Sequence, residues 1–126
     1  MLKLIKIPLK ITHGNLAVAA GKIPFAVKRT CFIYGVPEGV TRGNHAHKKL
    51  RSVLFCVSGS VKIKVDDGKK QQSVVLDKPN LGVLLEPHFW RQMSEFKKGT
   101  VLVVLMSTNY DPDDYIKDYA KFKNRS

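Results

Sequence analysis

The sequence is short of cysteine, of acidic residues and of unbroken apolar stretches, and each shortage removes a class of protein. Only two of its 126 residues are cysteines, Cys31 and Cys56, and they lack the paired spacing of metal ligands. A disulfide-stapled secreted module is therefore excluded, and a reduced, cytoplasmic protein is expected. No apolar run approaches the roughly 20 residues that cross a bilayer. The opening "MLKLIKIPLKI" is interrupted by Lys3, Lys6, Pro8 and Lys10, so it lacks the continuous core of a signal peptide and reads as a strand. Asp and Glu number 10 against 22 Lys and Arg, a net charge of +12. Such an excess suits nucleic acid, a membrane surface or a phosphorylated small molecule. The cations are scattered, however, and no basic run interleaves with aromatics as a single-strand groove requires. We expect no nucleic acid and no membrane partner, and an anionic small ligand stays compatible. There is no repeat, low-complexity segment or linker, so residues 1–126 are expected to form a single domain.

What is present is mostly strand. The stretches 27–36, 52–57, 61–65, 72–76, 81–86 and 100–107 are rich in β-branched and aromatic residues and end at Gly, Pro or Asn. Asp66-Asp67-Gly68 between two alternating runs is a hairpin signal. The nearly all-apolar "TVLVVLMS" (100–107) suits a strand buried on both faces. Many short strands at regular spacing predict an all-β sandwich or barrel. Only the tail looks helical. Asp111 can cap, Pro112 suits the first helical position, and a helix over 111–123 would align Tyr115, Tyr119 and Phe122.

The segment "RGNHAHKK" (42–49) places two of the four histidines one residue apart. In an extended chain such residues share a face, so His45 and His47 would point into whatever the sheets enclose. From Gly39, the spacing to His45, His47 and Gly59 resembles the first cupin motif, Gly-x5-His-x-His. The metal-binding form of that motif expects an acid near position 52, where this chain has Arg51-Ser52. Its second motif expects a histidine near Gln92. Three readings compete: a metal site, a structural pair, and an acid–base pair. The ligand set is small for a tight divalent site, and histidine titrates near neutral pH, so proton transfer is favoured.

The chain resembles the sugar 3,4-ketoisomerases, metal-independent cupins acting on dTDP-4-keto-6-deoxy-D-glucose in deoxyaminosugar biosynthesis. The residues that carry this are "IPFAVKR" (23–29), "RGNHAHKK" (42–49), "CVSGSVKIKVDDG" (56–68), "PHFWRQM" (87–93) and "NYDPDDYIKDYAKF" (109–122). The likeness runs from about Gly14 to Phe122. It implies a jelly-roll β-barrel with a short C-terminal helix, a homodimer whose members often exchange an N-terminal strand (residues 1–12 here), and no cofactor. It also implies catalysis by His45 and His47, joined by Tyr34 from the preceding strand. Of the two, we expect His47 as the base at C3 and His45 as the proton donor or oxyanion partner, with the reverse order as the alternative. Arg42, Arg51, Trp90 and Arg91 are the candidate substrate-binding residues. Where members carry a Gly-x-Leu segment followed by a glutamate, this chain has Ala19-Ala20-Gly21. Where they carry a glutamine, it has Arg51-Ser52. A non-catalytic nucleotide-sugar-binding protein and a metal-dependent cupin enzyme are the alternatives.

Overall fold

The computed structural model describes residues 2–124. Twelve strands follow one another: β1 (Lys3–Lys6), β2 (Leu9–Ile11), β3 (Asn15–Ala17), β4 (Arg29–Tyr34), β5 (Arg42–His47), β6 (Ser52–Ser58), β7 (Val61–Asp66), β8 (Gln71–Leu76), β9 (Leu81–Leu85), β10 (Trp90–Ser94), β11 (Val101–Met106) and β12 (Tyr115–Ile116). A single 3-10 turn, Pro112–Asp114, precedes β12, and one short helix, α1 (Tyr119–Asn124), follows it. All six of the stretches read as strands are strands. The hairpin signal closes β7 onto β8: Asp67 Oδ1 accepts from the Lys69 and Lys70 amides at 2.8 and 2.7 Å, and Gly68 supplies φ +97°.

The strands form two five-stranded antiparallel sheets. The first runs β1-β9-β6-β11-β4 and the second β12-β5-β10-β7-β8, while β2 and β3 make a separate hairpin. The architecture is the jelly-roll double layer. The two sheets keep separate hydrogen-bonded ladders, so it is not a closed barrel. Alternation along each strand decides what lies between them. Leu54, Cys56, Leu102 and Val104 of the first sheet meet Val61, Ile63, Val65, Leu76 and Met93 of the second, all buried. Both cysteines are free thiols.

Three more sequence expectations are corrected. In β11, Leu102, Val104 and Met106 are buried, but Val101, Val103 and Leu105 are only half-buried on the outward face. The tail is not one helix over 111–123. Asp111 and Pro112 do start a helical turn, with the Asp111 carboxylate accepting from the Asp113 amide. After one turn the chain straightens, because Tyr115 and Ile116 pair with His47 and Ala46 of β5. That ladder satisfies backbone groups more fully than an isolated short helix can. The helix restarts at Tyr119 and buries Phe122 completely against Ala46 and Trp90. In the opening segment Pro8 splits the predicted strand, and β1 pairs with β9 of the same chain.

Candidate active site

A cavity of about 430 Å³ opens between the sheets, within the range of small-molecule sites. Its polar lining is His45, His47, Ser52 and four cations: Arg29, Arg42, Arg91 and Lys117. Cys31, Met93, Met106 and Tyr115 add softer and aromatic walls.

The local sequence of β5 aims the histidines. At Gly43-Asn44 the pairing with β10 slips by one residue, since Arg91 faces His45 while Gln92 faces Gly43. Asn44 is the extra residue of this bulge, held at φ 56° with its side chain accepting from Gln92 Nε2 at 2.7 Å. Gly43 has φ +89°, and a Cβ there would lie 2.9 Å from the Arg91 carbonyl oxygen. Beyond the bulge the strand alternates regularly. His45 and His47 face the cavity, and Ala46 turns to the opposite, fully buried side.

The two imidazoles form part of a chain of hydrogen-bonding groups. His45 Nδ1 donates to the Gly43 carbonyl at 2.9 Å. His47 Nδ1 donates to Asp114 Oδ2 at 3.0 Å. Each ring's remaining nitrogen, Nε2, faces the other's at 3.1 Å. At that distance a proton taken up by one ring can be shared with the other. Burial opposes any charge on His47, and Arg91 and His45 add to that, pushing its pKa down to about 4 against the pull of Asp114. His45 is pushed down by burial and by Arg91 and Lys117, with its bond to Gly43 opposing. These effects together disfavour charge on the pair. Two rings in such contact titrate as a unit.

Asp114 is the group the sequence reading missed. Its carboxylate is 8% exposed and also accepts from the backbone amides of Lys49 at 2.8 Å and Leu50 at 3.3 Å. Burial raises its pKa, but these bonds and that from His47 outweigh it and hold the carboxyl below its ordinary value. Tyr115, beside it, sets its ring 5.0 Å from His45 and 4.5 Å from His47. The only sequence signal for either residue was an acid-rich start to the tail, which equally describes a helix cap.

The remaining candidates divide. Arg42 and Arg91 line the cavity. Arg91 is fully buried, and its pKa is pushed down to about 10 by burial. Its bonds are long, 3.3 Å each to Ser52 Oγ and to the Glu86 and Phe89 carbonyls, and its Nε has no partner. Arg51 does not line the cavity: it pairs with Glu86 at 2.6 Å and reaches the Pro24 carbonyl at 2.9 Å. Trp90 lies on the far side of the second sheet against Ala46 and Phe122, so it is core. Tyr34 is 73% exposed on the outward face of β4 and does not line the cavity, because strand alternation sends Cys31 and Ile33 inward instead. Arg29 and Lys117 were not anticipated. Among the described residues no group of three or more His, Cys, Asp or Glu converges as a metal site.

A jelly-roll double sheet enclosing a carboxylate-bonded histidine pair, with cations around it, defines a cupin-type protein. The family model described as "FdtA: WxcM-like, C-terminal" matches residues 1–126, and the chain belongs to that family. A TDP-4-oxo-6-deoxy-alpha-D-glucose-3,4-oxoisomerase of Aneurinibacillus thermoaerophilus is 43% identical over 114 residues, 89% of this chain and 82% of that protein. The solved structure of QdtA, a sugar 3,4-ketoisomerase from Thermoanaerobacterium thermosaccharolyticum in complex with TDP, superposes with a TM-score of 0.94 at 39% identity. It covers 98% of this chain and 92% of that one. A histidine-to-asparagine mutant of the same protein, in complex with TDP-4-keto-6-deoxyglucose, gives a TM-score of 0.94 at 38% identity, covering 98% and 91%.

Proposed function

We propose that this protein is a ketoisomerase that moves the ketone of TDP-4-keto-6-deoxyglucose from C4 to C3. The observation that carries the reading is the Asp114–His47–His45 chain of hydrogen-bonded groups inside a cavity whose other charges are all cationic. The family relationship supports it, since relatives sharing about two-fifths of their residues carry this activity by name.

The reaction needs a base, an acid and a place for negative charge. A histidine Nε2 takes the C3 proton, and the electron pair forms the C3=C4 bond of an enediolate with charge on O4. A proton is then delivered to C4, and the proton on O3 is given up as O4 gains one, leaving the ketone at C3. Atoms and charge balance without a redox partner. The sequence reading put the base on His47. The geometry favours His45, which is the less buried of the two, whereas His47 is 4% exposed with Asp114 on its other nitrogen. His47 Nε2 shares the one proton that His45 receives, and Asp114 stabilises the imidazolium that results. Arg91 answers the enediolate charge with a buried guanidinium that no carboxylate neutralises in the cavity. Arg42, Arg29 and Lys117 suit the diphosphate, guanidinium forks matching paired oxygens.

The test is incubation with TDP-4-keto-6-deoxyglucose in deuterated water. Deuterium at the exchanging carbons and a 3-keto product are expected from the wild type. His45→Asn is expected to lose about 10²–10⁴-fold in turnover while binding survives, because asparagine cannot accept the proton. Chelator treatment is expected to leave turnover unchanged. Binding without exchange would favour a non-catalytic binding protein, and activity lost to chelator and restored by one metal would favour a metal-dependent enzyme.

A further inference from the structure

The C-terminal segment reaches the site from outside the sheets and wraps one strand. Residues Tyr115 and Ile116 pair along the edge of β5, and the Lys48 amide donates to the Asp114 carbonyl at 2.9 Å. The chain then crosses to the back of the second sheet. There Phe122, fully buried, lies against Ala46 and Trp90. Ala46 separates the two histidines in sequence, so the strand that carries them is gripped along its edge and across its back.

One polar contact fastens the far end of this wrap. Tyr119 donates its hydroxyl to Asp66 Oδ2 at 2.6 Å, at the end of β7. The Asp66 carboxylate is 3% exposed. It also accepts from the Gly68 amide at 2.7 Å and from Gln71 Nε2 at 3.0 Å. A buried carboxylate held by a phenol, an amide and a backbone N–H is costly to place, since desolvation must be met by well-formed bonds. Neither Asp66 nor Tyr119 lines the cavity, so neither can touch the substrate.

We propose that Asp66 and Tyr119 are positioning residues of the active site. Their bond latches the C-terminal wrap, so that Asp114 is held at bonding distance from His47 Nδ1 and Tyr115 stays against both imidazoles. The latch acts through Asp114: when it is released, the carboxylate loses its register on His47, and the relay loses the group that stabilises its cation. This rests on the acid–base reading of the histidine pair, and its test is chosen to stand apart from that reading.

The variant is Tyr119→Phe, which removes one hydroxyl from a residue 38% exposed and leaves its ring against Trp90. Two readouts are taken. The first is the downfield proton resonance of His47 Nδ1–H in labelled protein, which needs no turnover. It is expected to weaken and exchange faster with water in Tyr119→Phe and in Asp66→Asn. The second is steady-state kinetics with TDP-4-keto-6-deoxyglucose, where kcat is expected to fall roughly tenfold with KM little changed. In an Asp114→Asn background the same change is expected to have almost no further effect, as coupled residues behave. An unaltered His47 resonance overturns the proposal, and so does an equal fall in kcat with and without Asp114. If the wild type proves inactive on this sugar, the ketoisomerase reading fails while the resonance still decides the latch.

Discussion

His47 stands between groups that pull its proton affinity in opposite directions, and burial wins. A histidine ordinarily titrating at 6.5 is held down to about 4 in the folded protein, while the unfolded chain keeps the ordinary value. Between those pH values the unfolded state binds more protons, so stability rises with pH across that window. The contribution is fully present above pH 6.5 and is lost as pH falls towards about 4. At most it amounts to ~3 kcal/mol, one pKa unit corresponding to about 1.36 kcal/mol. Urea titrations followed by Trp90 fluorescence at several pH values from 7 to 4 are expected to show this slope, and His47→Asn to flatten it. An equally steep slope in that variant would assign the effect to other groups. The same depression keeps the pair free to accept a proton near neutral pH, so stability and base strength depend on one feature.

At the scale of the element, the bulge in β5 joins backbone conformation to chemistry. Gly43→Ala would place a methyl against the Arg91 carbonyl in a backbone region that side chains avoid. A loss of about 1–3 kcal/mol is expected, read as a lower thermal midpoint. Turnover is expected to fall as well, since the Gly43 carbonyl is what holds His45 Nδ1. A variant with wild-type melting and activity would show that the bulge relaxes freely. Strand positions were legible because alternation and turn residues are local: "VKIKV" and Asp66-Asp67-Gly68 carry their own geometry. The shared face of His45 and His47 was legible for the same reason. The fates of Tyr34, Arg51 and Trp90 were not, because which side of a strand faces the cavity depends on packing between sheets. Asp114 was hidden further still, lying 67 residues from His47 in a segment whose capping signals were real but whose continuation was decided by the edge of β5.

The whole molecule leaves part of one sheet face uncovered. Phe32 and Tyr34 are 62% and 73% exposed, and Val57 is 42% exposed, on the outward side of the first sheet. The β2–β3 hairpin nearby exposes Leu9, Ile11 and Leu16, and an apolar groove of about 480 Å³ runs between hairpin and sheet. Apolar surface on this scale marks an interface in a soluble protein, and a self-complementary face favours a two-fold pair. A homodimer is expected, with a mass twice the 14.2 kDa of the chain by light scattering. Tyr34→Glu with Phe32→Asp is expected to yield monomers, and a wild-type monomer at micromolar concentration would refute the pairing.

The wrap around β5 also sets an order in time. Every strand of both sheets except β12 precedes Asp111 in the chain, so a chain that stops there carries all of them and lacks Asp114, Tyr115 and the Tyr119 hydroxyl. Such a chain holds both histidines and the arginines but not the carboxylate that orients His47. On the proposed mechanism the carboxylate that orients His47 is therefore among the last residues made, and a chain ended just short of it is expected to keep both histidines and lose their relay.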